Sequence, residues 1–329
     1  MDILITGGAG FLGQALARAL LARGAVMIDG TETPIGRIVC FDQVEGAISD
    51  PGVVNVAGSI ADAATVDALV GPGTAVIIHL AAVVSGTAEA DFDLGMRVNV
   101  DGTRNLLEAC RAAGACPRLL FSSSVAVFGG DLPASVSDAT TPTPQGSYGT
   151  QKLIGELLVQ DCTRKGWIDG RSVRVPTVVV RPGAPNGAAS GFASGIVREP
   201  LAGREALLPV DPSTEMWIAS PRAVVRMFLH ALALPAQAWG WNRSLNLPGV
   251  TATMRDAIEA LRRVGGDAAV ERIRERPDEA VRRLVRTWAA RFDTARARAM
   301  GFEADADIDA IVRAYVEDNP GAVLSTAPR

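Results

Sequence analysis

Asp2–Gly13, DILITGGAGFLG, sets an apolar run against a glycine cluster and opens a helix-like stretch that continues to Gly24. Asp2–Thr6 reads as a short strand, and Phe11–Arg23 repeats leucine and alanine at helical spacing. Between them, Gly7, Gly10 and Gly13 allow a tight turn, a close backbone approach to a ligand and close helix–strand packing. The helix start at Phe11 and Leu12 offers unpaired backbone N–H groups and a partial positive charge, which suit a pyrophosphate. A glycine triplet alone says little. Lodged between a first strand and a first helix, it predicts a dinucleotide-binding unit.

Working outward, the same alternation continues. Gly36–Asp42 (GRIVCFD) and Ala75–Ala82 (AVIIHLAA) read as strands, the second apolar throughout, as a parallel strand buried on both faces should be. Asn99–Gly114 reads as a helix, Arg118–Gly129 as a strand and its exit, Tyr148–Gly166 as a helix and Ser172–Gly183 as a strand. This predicts an α/β fold, a Rossmann-type doubly wound parallel sheet over residues 1–182 with a strand returning near 244–249. Most of 183–329 is expected to form a smaller C-terminal substrate-binding lobe over the sheet's carboxyl edge. Met27–Gly36 reads as an insertion, and the polar, proline-bearing stretch Gly129–Gly146 as a long functional loop. Thr251 or Thr253 is positioned to cap the late helix that follows, and residues 270–319 are helical by pattern.

Composition removes several function classes. The net charge of −4 argues against a nucleic-acid surface. The basic run Arg272–Arg286 is interleaved with Glu271, Glu275, Asp278 and Glu279 and reads as a solvated helix face. No apolar run approaches the roughly 20 residues that span a bilayer, and the opening residues lack a basic leader. The four cysteines, Cys40, Cys110, Cys116 and Cys162, have no metal-ligand spacing, which favours reduced thiols and a cytoplasmic protein. His79 and His230 are the only histidines, too few for a multi-histidine metal centre, and no metal is expected. His230 reads as a packed core residue. His79 has no nucleophile elbow to serve as the base of a hydrolase.

The chemistry points to Tyr148 and Lys152, in a chain with only two tyrosines and two lysines. Four residues apart on a helix, they share a face. A free phenol is a poor base at neutral pH, but a nearby ammonium favours the phenolate. Ser124 leaves a strand at the edge where ligands bind in such sheets. Asp42, at the end of the second strand, is suited to adenosine ribose hydroxyls. No arginine follows it to receive a 2′-phosphate, which favours NAD over NADP.

These motifs, TGGAGFLG, HLAA, NVDGT, SSS and YGTQK in this order, resemble the extended short-chain dehydrogenase/reductase family, which includes NAD-dependent sugar-nucleotide epimerases and dehydratases. The resemblance covers residues 1–185 and continues more loosely to the end. It implies that Ser124 orients a substrate oxygen, Tyr148 moves its proton, and Lys152 holds the cofactor ribose and tunes Tyr148. It also implies that Ser59, Ile60, Leu80, Ala81, Ala82, Asn99 and Pro182 line the NAD site, with Asn99 more structural than catalytic. A homodimer through the helices of Asn99–Ala113 and Tyr148–Arg164 is implied as well. Two positions depart from the family pattern: Phe128 stands where a tyrosine is common, and Ser59 where an aspartate often faces adenine.

The nucleotide-sugar branch commonly reads RDFIHVDD before its late helix; here the segment is Thr214–Val224, TEMWIASPRAV. With Arg181–Gly203 and Asn246–Leu261, it is similar to a branch acting on small sugar acids. That implies oxidation of the 2-hydroxyl of a four-carbon, erythronate-like aldonate to the 2-oxo acid. Ser85, Ser124, Asn186, Ser190, Ser194, Arg198 and Arg222 are the candidates for holding a small hydroxy acid, whose carboxylate needs a cation or several donors. The same-fold alternative is an epimerase or dehydratase that recycles its NAD. A silent NAD-sensing protein is disfavoured by the intact serine, tyrosine and lysine.

Overall fold

Seven short apolar runs lie side by side as one sheet in the computed structural model, which describes residues 1–184 and 187–322. They are β1 (Asp2–Thr6), β2 (Arg37–Asp42), β3 (Val53–Ala57), β4 (Thr74–His79), β5 (Arg118–Ser124), β6 (Asp169–Val175) and β7 (Ser244–Asn246). All pairings are parallel, in the order 3-2-1-4-5-6-7. The order reverses between β1 and β4, so their carboxyl ends frame the crevice where such sheets take ligands. Val76, Ile77 and Ile78 are fully buried, which accounts for the unbroken apolar run of β4.

The helices are α1 (Phe11–Arg23), α2 (Ala63–Leu69), α3 (Gly102–Ala113) and α4 (Ser147–Arg164), with a π-helical turn at Met96–Asp101 leading into α3. Leu4, Phe41, Ile77, Leu106, Leu119, Phe121 and Val159 belong to one core cluster of strand and helix side chains.

The insertion read at Met27–Gly36 folds as a hairpin, Ala25–Ile28 against Thr31–Pro34. Asp29 and Gly30 form its turn with φ of 49° and 80°, the pair of positive values that matches the twist of a two-residue hairpin. Arg118 Nη2 donates to Asp29 Oδ1 at 2.6 Å and ties the turn to β5. The hairpin explains why Asp42 lies so far along the chain from Gly13.

The chain divides into two compact units with interleaved segments. The first holds Met1–Val127, Pro144–Val175 and Val225–Asn246; the second holds Phe128–Thr143, Pro176–Val224 and Leu247–Arg329. The boundary expected at 182, with a return near 244–249, is found as a return at Ser244–Asn246 and several further crossings. The return has a physical anchor: Arg171, fully buried, donates from Nη1 to the carbonyls of Ala231 at 2.5 Å and Leu234 at 2.7 Å. Arg118 Nη1 adds Leu232 at 2.8 Å. Together they satisfy the carbonyls that end the helix Pro221–Ala233. Four residues past that helix's Arg226, His230 is half-buried rather than a core residue.

In the second unit, Glu215–Ala219 pairs antiparallel with Val250–Thr253 and parallel with Thr177–Val178. Ala206–Leu208 pairs with Ile273–Glu275. Helices Gly191–Leu201, Met254–Gly265 and Ile308–Asp318 contribute to a core that includes Val197, Leu208, Ile218, Leu261 and Ile311. Thr253, not Thr251, caps the late helix, in a capping box with Asp256. Thr251 donates instead to the carbonyl of Ala290 at 2.8 Å. The region expected to be helical over 270–319 includes the strand Ile273–Glu275, and the helix at Glu279 starts only after Pro277. All four cysteines are free, Cys116 exposed and the others buried. No described helix is long and apolar enough to cross a membrane.

Candidate active site

Gly7 follows β1 with φ of 74°, and a Cβ there would lie 2.9 Å from the backbone nitrogen of Ala81. The bend thus lies against the chain leaving β4, and a side chain at Gly13 would run into the carbonyl of Gly7. Gly8 N–H donates to the carbonyl of Phe41 at 3.0 Å and Gly10 N–H to that of Gly7 at 3.2 Å. Gly10 caps α1 without any side-chain bond, and no acidic residue stands in the first turn of Phe11, Leu12 and Gly13. That leaves an uncapped helix start behind a backbone cradle that a Cβ would fill, an arrangement that fits a dinucleotide phosphate.

Asp42 ends β2 and reaches back to this bend. Its Oδ2 accepts the Ala9 N–H at 3.0 Å and its Oδ1 the Gln43 N–H at 2.7 Å. Each carboxylate oxygen keeps acceptor capacity for a further hydroxyl. Nearby, Ser59 Oγ accepts the Ala61 N–H at 3.3 Å. Ile60 is buried, and its carbonyl accepts Asn105 Nδ2 at 3.2 Å.

The segment Leu80–Ala82 is held by a chain of bonds absent from the expectations above. Leu80 N–H donates to the Thr6 carbonyl at 3.0 Å and Ala81 N–H to Thr6 Oγ1 at 3.2 Å. Thr6 Oγ1 lies 2.6 Å from His79 Nδ1, His79 Nε2 lies 2.9 Å from Thr103 Oγ1, and Thr103 donates to the Asn99 carbonyl at 2.7 Å. Because Thr103 spends its proton on Asn99, it accepts from Nε2–H, and Thr6 donates to Nδ1. His79 is thereby a neutral structural link between β1, β4 and α3. Burial, helped by the charge of Lys152, pushes its pKa down to about 3.

Asn99 spends its side chain within the protein. Its Oδ1 accepts the Val83 N–H at 2.9 Å, and its Nδ2 donates to the Val83 carbonyl at 3.1 Å and to Gln151 Oε1 at 2.7 Å. Gln151, absent from the sequence reading, joins the loop after β4 to the helix of Tyr148 and Lys152.

Ser124 ends β5, and its Oγ accepts the Ala126 N–H at 3.1 Å. A side chain at Gly149 would collide with the carbonyl of that same Ala126, so α4 seats its first turn directly on the exit of β5. The exit of β5 just beyond Ser124 and the helical turn that carries Tyr148 are thus held together by a backbone contact that only glycine permits. Ser147 N–H, at the helix start, donates to Glu89 Oε2 at 2.8 Å. Lys152, one turn along, is 3% exposed. Its Nζ stands 4.9 Å from the ring centroid of Phe121 and 5.6 Å from that of Tyr148. Burial lowers its pKa to about 8. A cation held in this way beside a phenol favours the phenolate.

The expected substrate contacts are divided. Ser85 opens a short helix, Ser85–Ala90, in the first unit. Pro182, Ser190, Ser194, Arg198 and Arg222 belong to the second unit, and Asn186 lies outside the described residues. Ser194 is buried and accepts the Arg181 N–H at 3.1 Å; Ser190 Oγ accepts Arg181 Nη2 at 2.5 Å. Buried Arg198 donates to Glu199 at 2.7 Å and to the Arg181 carbonyl at 2.9 Å. Arg222 gives its guanidinium to Asp318 at 2.6 and 2.7 Å and to Glu317 at 2.7 Å, and these acids raise its pKa. Both arginines expected to meet a substrate carboxylate already hold carboxylates of their own chain.

The model of the NAD dependent epimerase/dehydratase family matches residues 3–240. The D-erythronate dehydrogenase of Cupriavidus necator is 51% identical over 97% of this chain and 98% of its own length. That of Haemophilus influenzae is 42% identical over 96% and 99%. A solved structure described as a nucleoside-diphosphate-sugar epimerase from Agrobacterium tumefaciens superposes with a TM-score of 0.91 at 42% identity, covering 98% of this chain and 95% of that one.

Proposed function

The chain belongs to the NAD dependent epimerase/dehydratase family, and from that premise we propose that it oxidises the 2-hydroxyl of D-erythronate, or a closely similar four-carbon aldonate, to the 2-oxo acid. The observation that carries this reading is the 51% identity with an erythronate dehydrogenase along 97% of the chain.

In the proposed reaction Ser124 donates a hydrogen bond to the C2 oxygen and fixes its direction. Tyr148, as phenolate, takes the hydroxyl proton as the C–H bond at C2 breaks and the carbonyl forms. Lys152 lowers the cost of the phenolate and offers its N–H groups to a ribose. Bound NAD supplies the acceptor for the hydride leaving C2. The bend Gly7–Gly13 and the start of α1 hold the diphosphate, Asp42 the adenosine ribose, and Ser59, Ile60, Leu80–Ala82 and Pro182 the remaining surface. NAD is preferred to NADP because Gln43 and Val44, not an arginine, follow Asp42. Ser85, Asn186 and the half-buried Ser190 are the proposed polar contacts of the substrate; Ser194 is fully buried, and Arg198 and Arg222 are better explained by the carboxylates they already hold. The enzyme is proposed to be cytoplasmic and to dimerise through α3 and α4, where Leu157 is 63% exposed.

The likeness to the Agrobacterium epimerase favours a second reading, a nucleotide-sugar epimerase with recycled cofactor. Incubation with NAD and either D-erythronate or nucleotide sugars, followed by NADH absorbance and by product chromatography, separates the two. Net NADH from erythronate is expected. Sugar interconversion without net NADH, and none from any aldonate, overturns the proposal.

A further inference from the structure

Tyr148, Lys152 and Glu156 follow at four-residue intervals on α4 and share one face of that helix. Lys152 and Glu156 are one turn apart and each 3% exposed, the spacing at which a lysine and a glutamate ordinarily pair. They do not. Glu156 turns to Arg174 of β6, whose Nε lies 2.9 Å from Oε1 and Nη2 2.7 Å from Oε2. Ser123 Oγ donates to Glu156 Oε1 at 2.5 Å, and Arg174 Nη1 reaches Asn246 Oδ1 of β7 at 3.3 Å. Lys152 has no ion pair among the described residues; the rings of Phe121 and Tyr148 are its neighbours.

We infer that Arg174 is a positioning residue for the reaction: by holding both oxygens of Glu156, it keeps that acid from Lys152 and leaves the ammonium uncommitted beside Tyr148. This rests on the reading that Lys152 tunes Tyr148. A carboxylate released at that depth would face the ammonium in surroundings of low polarity, where opposite charges attract strongly. The pair would draw Lys152 along the helix away from the phenol and cancel the field that favours the phenolate. A bidentate guanidinium is the stronger competitor for the carboxylate. Ser123 stands next to Ser124 on β5, so the same cluster also locks that strand to α4.

The charged and titratable groups around Lys152 fit this division. Its own helix supplies Tyr148 and Glu156, β4 supplies neutral His79, and β6 supplies Arg174, which Glu156 neutralises. On β5 it meets Phe121, and the Ser123 and Ser124 of that strand do not titrate. Glu89, on the helix packed against α4, accepts from Ser147. Asp93, Arg97, Arg104, Glu108 and Arg111, on the other packed helices, are exposed. Burial is what lowers the Lys152 pKa.

The chain's two lysines make this directly measurable: in the full-length protein labelled with carbon-13 lysine, Lys152 titrates in the NMR spectrum beside exposed Lys165 as internal reference. Arg174→Met is expected to raise the Lys152 midpoint by about one pH unit or more, the effect of an opposite charge at close range, and to lower kcat at least about tenfold. Glu156→Gln is expected to leave the midpoint within about half a pH unit of the parent. Glu156→Gln combined with Arg174→Met, which lacks the stray acid, should bring both midpoint and kcat back toward the parent. If Arg174→Met does not fold, Arg174→Lys, with a single-point grip, should shift the midpoint the same way by less. An unmoved midpoint in a folded Arg174 variant, a fall of a full unit in Glu156→Gln, or no rescue in the double variant overturns the inference. The midpoint is read without substrate, so failure of erythronate turnover alone bears only on the proposed reaction.

Discussion

Lys152 lies buried with no ion pair among the described residues, whereas Arg222 stands 45% exposed and is gripped by Glu317 and Asp318. Each was expected from sequence to meet a ligand, and each is a cation carried on a helix. The first has lost solvation without gaining a counter-charge, so its charge is available to whatever enters. The second has already spent its charge on its own chain. What separates them is pairing. Residue type alone does not decide which cation is free to act.

The widest break in that comparison comes from Tyr148, the phenol that Lys152 is proposed to serve. Tyr148→Phe should lower kcat about a thousandfold, within the range for a lost general base, while NAD affinity changes little. Steady-state turnover and cofactor titration check both halves, and preserved turnover would remove Lys152's purpose.

Next in size is the neutral neighbour of Lys152. The His79 pKa in the folded chain, about 3, lies below its value of 6.5 in the unfolded chain. Between those limits the unfolded chain binds the extra proton, so stability is full above pH 6.5 and falls as the pH drops toward 3. Between pH 6.5 and 5 that is roughly 1.6 kcal/mol, or about sixteenfold in the folding equilibrium. Urea melts at the two pH values should show that loss in the parent and a smaller one in His79→Gln. Equal losses would mean that His79 is not held neutral.

Asp42→Ala should raise KM for NAD about tenfold, by loss of charge-assisted bonds, with a smaller effect on kcat. An unchanged KM would return Asp42 to a purely structural role in fixing Ala9. The smallest effect is assigned to Arg222. Arg222→Ala should leave kcat/KM for erythronate within about threefold and cost at most about 1 kcal/mol of stability, as an exposed pair does. A loss of a hundredfold or more would show that Arg222 exchanges its acids for substrate and would erase the contrast with Lys152.

How far the sequence could be read follows the same physics. Gly7, Gly10 and Gly13 announce the bend because a glycine's freedom is a local property, and Tyr148 and Lys152 share a turn of one helix. The aspartate–glycine pair at Asp29–Gly30 is a turn signal, but the polar Thr31–Pro34 that follows carries no strand pattern, so the segment reads only as an insertion. The edge strand Val53–Ala57 was not marked out, because one exposed side leaves it a weak apolar pattern. The Asn99–Gln151 bond joins residues 52 apart, and Arg222 meets Asp318 across 96. No local pattern in a single chain records such pairings. The same limit hid the diversion of Glu156, whose spacing from Lys152 advertises a bond the fold does not make.

Arg118 and Arg171, described above as the partners of the carbonyls closing the helix Pro221–Ala233, carry a practical consequence. They latch the chain at the point where it re-enters the first unit, using only residues of that unit. The excursion from Pro176 to Val224 therefore resembles a cassette with its far end already wired in. A graft of that excursion from a relative would inherit the latch, but it would also have to match Val250–Thr253 and Leu261 of the host, which share its sheet and its core.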